Sequence, residues 1–174
     1  MFEQFVQDTS VFIRDHQAWA VPIVLVLTFC ESIAVLSLLV PATVILLGVG
    51  ALIGSTGIAF WPVWAAAVTG AILGDWVSYA IGLHFKERVG QVWPLSHYPD
   101  LLPRGRAFFD RWGTGGVFFG RFFGPLRATV PLAAGVCGMA ALPFQLANVA
   151  SAMIWAALML GPGVLGTRWL PNWL

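Results

Sequence analysis

Arg121–Gly135, RFFGPLRATVPLAAG, sets two arginines and two prolines inside an apolar stretch, and how it folds decides the architecture. On one straight helix, the six residues from Arg121 to Arg127 turn through about 600°, which leaves the two side chains about 120° away from facing each other. Such a helix would not aim both cations at one target. Gly124 and Pro125 supply another arrangement, because proline lacks an amide donor, clashes with the preceding turn and biases its predecessor away from helix. The stretch is therefore expected to be a broken element.

The surroundings fix the solvent. Hydrophobic residues make up 59% of the 174-residue chain and charged residues only 10%, against about 25% charged in soluble domains. The chain is an integral membrane protein. Its net charge of +1 provides no basic field for a phosphate backbone, which argues against nucleic acid as a partner. Cys30 and Cys137 lie in apolar surroundings and are expected to be packing residues. No metal-ligand spacing occurs, so neither a metal nor a cofactor is expected. The N-terminal MFEQFVQDTS carries Glu3 and Asp8 rather than a positive n-region, and is expected to be retained.

Outward from the opening stretch, hydropathy divides the chain. Residues 1–17 scatter Phe2, Phe5, Val6, Phe12 and Ile13 among polar residues, the pattern of an interfacial helix. Residues 18–59 are almost continuously apolar, long enough for two passages at about 20 residues each, with Glu31 as the one formal charge and Pro41 cutting the run in two. This segment is expected to form a first hairpin over about 20–55. A spanning helix is expected over 61–83, with Asp75 in its second half and the pair Gly70 and Gly74 suited to close helix packing. Residues 84–112 hold five of the nine basic residues and three prolines, and read as a polar connection on the cytoplasmic side. A second hairpin over about 114–142, a last spanning helix over 143–166 and an interfacial tail over 167–174 complete the single domain.

A shift of 90 residues aligns the two interrupted segments, with seven identities in 24 positions, among them Pro41 on Pro131 and Val40 on Val130. The same shift lays Glu31 on Arg121. Paired, broken apolar segments are the sequence sign of transporters built from inverted halves, in which irregular backbone is tolerated where it lines a cavity. The expected fold is thus an all-α polytopic helical bundle with two inverted re-entrant helical hairpins facing each other. Their breaks fall at Pro41 and Thr43 in the first, and at Gly124, Pro125, Pro131 and Gly135 in the second. Four charges left alone at membrane depth would cost on the order of 10 kcal/mol. Pairing, water or a ligand has to compensate, and an approach of Glu31 to Arg121 within about 4 Å is the contact to look for.

Three blocks carry a resemblance to a known family: FCESIAVLSLLVPATVILLGVGAL, GAILGDWVSYAIG and FFGRFFGPLRATVPLAAGVCGM. The sequence resembles the DedA family of bacterial membrane proteins, part of the SNARE-associated or VTT-domain superfamily, from about residue 20 to 165. The third block is the most specific, with the family's arginine, proline, arginine, proline and alanine-glycine on Arg121, Pro125, Arg127, Pro131 and Ala134-Gly135. The resemblance implies a multi-pass protein of the bacterial cytoplasmic membrane. It further implies re-entrant-hairpin transport of polyprenyl-phosphate carriers, such as undecaprenyl phosphate, or of phospholipids, linked to the proton motive force, with Glu31, Arg121 and Arg127 essential. Many family members place a second acid shortly after the first-hairpin proline, where this chain has Pro41, Ala42 and Thr43. Asp75 is the nearest substitute.

The chemistry of the residues agrees with a phosphate-bearing lipid and protons as partners. Guanidinium forks at Arg121 and Arg127 match phosphate oxygens with two donors each, and Glu31 with Asp75 would pair with them and titrate. Two other classes compete. In a structural or assembly protein, the arginines would snorkel to a headgroup interface and the acids would serve folding only. In an intramembrane lipid-modifying enzyme a nucleophile needs a base, yet no His or Lys shares the apolar segments of Ser32, Ser37, Ser78 and Ser151. The sequence leaves homo-oligomerisation open.

Overall fold

The structure is a computed structural model that describes residues 17–33, 42–56, 58–85, 101–123 and 126–169. Every regular element among them is a helix: α1 (Gln17–Ser32), α2 (Ala42–Thr56), α3 (Phe60–Phe85), α4 (Leu101–Gly120), α5 (Leu126–Val136) and α6 (Ala141–Trp169). Of the interfacial segments expected at the two ends, Gln17 belongs to α1 and residues 167–169 continue α6, and the rest lies outside the described residues, as do Pro41, Gly124 and Pro125.

Length separates these helices into two kinds. With 26 and 29 residues, α3 and α6 extend about 39 and 44 Å at 1.5 Å per residue. Both exceed the bilayer's apolar core of about 30 Å, and both are apolar enough to cross it. By contrast α1, α2 and α5 have 16, 15 and 11 residues, about 24, 22 and 16 Å. Helix α4 is amphipathic and is interrupted at Gly113, whose φ of 49° is the left-handed conformation that glycine adopts without steric cost. The polar connection expected over 84–112 is thus helical from Leu101 onward.

Packing has the exchange pattern of a two-fold repeat. Helix α1 packs on α3 and α4 on α6 within each half, while α2 packs on α6 and α5 on α3 across the halves. Glycines make these approaches: Gly70 and Gly74 face the backbone of Leu25 and Phe29 in α1, Gly135 and Gly82 bring α5 against α3, and Gly50 and Gly163 bring α2 against α6. The last two pairs correspond under the exchange, Gly82 with Gly163 and Gly50 with Gly135, so the halves repeat at 81 and 85 residues there. The shift of 90 does not survive as a structural register. Pro131 and Gly135 lie inside α5 and Thr43 inside α2; the observed interruptions are Arg121–Phe123 and Cys137–Ala140. A helix tolerates Pro131 because only the carbonyl one turn back, that of Arg127, loses its donor.

A Cβ on Gly135 would run into the Tyr79 carbonyl and the Leu83 amide, whereas one on Gly48 meets nothing within 4 Å. Gly135→Val is therefore expected to push α5 off α3 and abolish a monodisperse peak in detergent size exclusion, since overpacking costs about 1–3 kcal/mol or more. Gly48→Ala should elute and melt like the parent.

Two apolar cores result. One gathers Val24, Leu46, Ile53, Val63, Ala67, Trp155 and Leu160 from α1, α2, α3 and α6; the other gathers Tyr79, Val117, Val130, Ala134, Phe144 and Ala147 from α3, α4, α5 and α6. Along α3 the chain passes from the first core to the second, and along α6 from the second to the first, so the two long helices run antiparallel. Large apolar side chains such as Trp19, Trp61, Leu146 and Leu158 point outward, as a lipid-facing surface requires.

Candidate functional site

A polar layer separates the cores. On α3 it comprises Asp75 and Ser78, between Ala71 and Tyr79; on α6 it comprises Asn148 and Ser151, between Ala147 and Ala152. The broken ends of α1, α4 and α5 reach the same layer and deliver Glu31, Arg121 and Arg127. The structure thus brings all four expected charges together, with exposures of 6% for Glu31, 3% for Asp75, 5% for Arg121 and 8% for Arg127. The expected break positions Pro131 and Gly135 lie within α5, and Gly135 brings that helix against α3.

The charges form two ion pairs. Arg127 donates through Nη1 to Glu31 Oε1 at 2.8 Å, and Arg121 Nη2 pairs with Asp75 Oδ2. The 90-residue overlay pointed to Glu31 against Arg121, but these occupy corresponding arm ends in the two halves. Each has its ion pair with a residue of the opposite half: Glu31 at the end of α1 meets the start of α5, and Arg121 at the end of α4 meets the middle of α3. Asp75, on a spanning helix, is the carboxylate that Arg121 meets.

The Glu31–Arg127 pair holds against the local fields. Glu31 is the penultimate residue of α1, at its partially negative end, and Arg127 is the second residue of α5, at its partially positive end. Neither placement helps its own helix, so the stabilisation has to come from the partner across the layer. Arg121 is better placed, just past the carboxyl end of α4, where amides of Phe122 and Phe123 donate back to Phe119 and Gly120 at 3.0 and 3.2 Å.

Neutral groups hold the cations from the other side. Asn148 Oδ1 accepts from Arg121 Nη2 at 2.6 Å, while its Nδ2 donates to the Ile72 carbonyl and to Gln145 Oε1, each at 3.2 Å. The Arg127 guanidinium lies 3.8 Å over the Trp155 ring, a cation–π contact strengthened by the burial of both side chains. Arg127 also donates to Ser32 Oγ at 3.4 Å, and Ser78 Oγ donates to the Ser32 carbonyl at 3.2 Å. Asn148 and Trp155 are seven residues apart and so share one face of α6. Each arginine therefore has one partner that titrates and at least one that does not.

Hydrogen-bonding capacity is left over. Arg121 Nη1, Arg127 Nε and Asp75 Oδ1 are buried and have no partner among the described residues. Buried donors left in that condition cost about 1–3 kcal/mol each, more when charged. Guanidinium donors of this kind are the complement of an oxyanion with more than one oxygen.

Three comparisons with known proteins bear on this site. The VTT domain model matches residues 40–165. The chain is 32% identical over 154 residues to "Inner membrane protein YabI" of Escherichia coli, covering 88% of this chain and 61% of that protein. Against "Uncharacterized membrane protein BU139" of Buchnera aphidicola it is 30% identical over 154 residues, 88% of this chain and 60% of the relative. Against "Uncharacterized membrane protein slr0232" of Synechocystis it is 36% identical over 120 residues, covering 67% and 54%. The chain spans about three fifths of the length of the first two. No solved structure matches it.

Proposed function

This chain belongs to the VTT-domain, or DedA, family of membrane proteins, and on that premise we propose that it carries a phosphate-bearing lipid headgroup across the bacterial cytoplasmic membrane, coupled to the proton motive force. The lipid is a polyprenyl phosphate such as undecaprenyl phosphate, or a phospholipid. Arg121 and Arg127 bind the phosphate; Glu31 and Asp75 titrate. The observation that carries this reading is the buried layer of two ion pairs in which the arginines retain unused donors.

The mechanism follows from what competes for the guanidinium groups. At rest the carboxylates occupy them. Protonating an acid removes its attraction for the arginine and frees that cation for a phosphate oxygen; deprotonation restores the competitor and expels the headgroup. Asn148 and Trp155, which carry no titratable proton in this range, keep the arginines in the layer throughout. The short arms α1 and α5 act as re-entrant halves, too short to span singly, and with the end of α4 they deliver the charged side chains to the layer. Lipid tails stay in the bilayer while the headgroup passes.

The test is reconstitution in liposomes with Arg127→Lys beside the parent. If the fork reads phosphate, lysine keeps the charge and loses the two-donor geometry, so transport should fall at least tenfold with the protein still inserted and folded. Near-parental transport by the variant would favour snorkelling arginines and the structural class. A chemically altered lipid in the parent reaction would mark an enzyme.

A further inference from the structure

The charge inventory of the layer sets how many protons accompany the headgroup. Across residues 17–83 and 113–166 the sequence carries four formal charges, Glu31, Asp75, Arg121 and Arg127, two of each sign. All four meet in the two ion pairs, and none is more than 8% exposed. Among the described residues, the other groups that contact them are neutral: Ser32 from α1, and Asn148 and Trp155 from α6. The layer therefore sums to zero.

A net charge buried at membrane depth is opposed by its desolvation, whichever sign it has. A phosphate entering a neutral layer would bring one or two uncompensated negative charges. Resting on the phosphate reading above, we infer that the site takes up one proton for each negative charge on the headgroup, so that the layer is neutral both before and after binding. A phosphodiester requires one proton and a phosphomonoester dianion two, which is the number of acids present. Each proton comes from water and goes to a carboxylate oxygen of Glu31 or Asp75, or to a phosphate oxygen; the guanidinium that the carboxylate leaves then donates to phosphate. On release the proton returns to water and the carboxylate recovers its arginine. Since no net charge crosses, the pH difference drives transport and the voltage does not, because a potential acts only on moved charge.

The full chain in detergent can be titrated with farnesyl phosphate and with its monomethyl ester, two ligands of one tail that differ by a charge. At about pH 8 the monoester carries close to two negative charges. Calorimetry in buffers of different ionisation enthalpy then counts protons per ligand. The expected counts are about two for the monoester and about one for the ester; Glu31→Gln and Asp75→Asn should each lower both counts by one. Equal uptake for the two ligands, or none, overturns charge matching while leaving phosphate binding intact. Failure of both ligands to bind overturns the phosphate reading itself. In liposomes, transport should follow an imposed pH gradient and ignore a potassium diffusion potential; voltage-driven transport at zero pH gradient would overturn the inference. If either variant fails to fold, the two-ligand comparison on the parent still decides.

Discussion

Asp75→Leu is expected to destabilise the protein by about 3–5 kcal/mol, and adding Arg121→Met is expected to recover most of that loss. The single change leaves the Arg121 guanidinium buried with Asn148 but without its carboxylate. A neutral amide offers one acceptor and no opposite charge, which does not offset the removal of a cation from water. The double change replaces the pair by apolar groups in a layer already bounded by apolar cores above and below. Thermal unfolding of parent, both singles and the double gives the cycle. A large positive coupling with a stable double variant that transports nothing would separate folding from function: the charges would be kept for what they bind. A single variant as stable as the parent would mean that Arg121 does not depend on Asp75.

The class of the molecule and its two long helices were legible, because a continuous apolar run of bilayer length has few other uses. The expected 61–83 and 143–166 differ from Phe60–Phe85 and Ala141–Trp169 by a few residues at most ends. The four charged positions stood out for a related reason, since one or two charges in an otherwise apolar segment carry a large desolvation cost.

Pairing and register were not. Helices that meet across the two halves are set by small residues at the contact, and Gly50, Gly82, Gly135 and Gly163 carry no sign in sequence of which partner each faces. Identities at a shift of 90 gave Pro41 and Pro131 equivalent places, although one precedes a helix and the other lies within one. Proline is a weak boundary marker where only one carbonyl loses its donor. Asn148 and Trp155 were also missed as partners of the arginines. A signal existed for Asn148, the one asparagine within an apolar helix whose other polar residues are near its ends or are small. Trp155 had none, because a tryptophan inside an apolar helix is ordinarily core.

The remaining prediction tests whether α4 and α5 form a re-entrant arm pair around a water-accessible break. Phe123 is 61% exposed at the interruption between them, and Leu158 is 51% exposed near the middle of α6. Both are apolar, so hydropathy alone assigns both to lipid. Single cysteines at the two positions, in a background with Cys30 and Cys137 replaced, are to be exposed to a membrane-impermeant thiol reagent in cells and in inverted vesicles. Thiolate and reagent both need water, and non-helical backbone at membrane depth is tolerated where it lines a watery cavity. Phe123→Cys is therefore expected to label from at least one side, and Leu158→Cys from neither. Saturating farnesyl phosphate should slow the labelling of Phe123→Cys, because the break carries Arg121 and Arg127 on its two flanks. If Phe123→Cys proves as inert as Leu158→Cys, the break faces lipid, the arginines have no aqueous route to a headgroup, and the two ion pairs revert to a device for holding helices together.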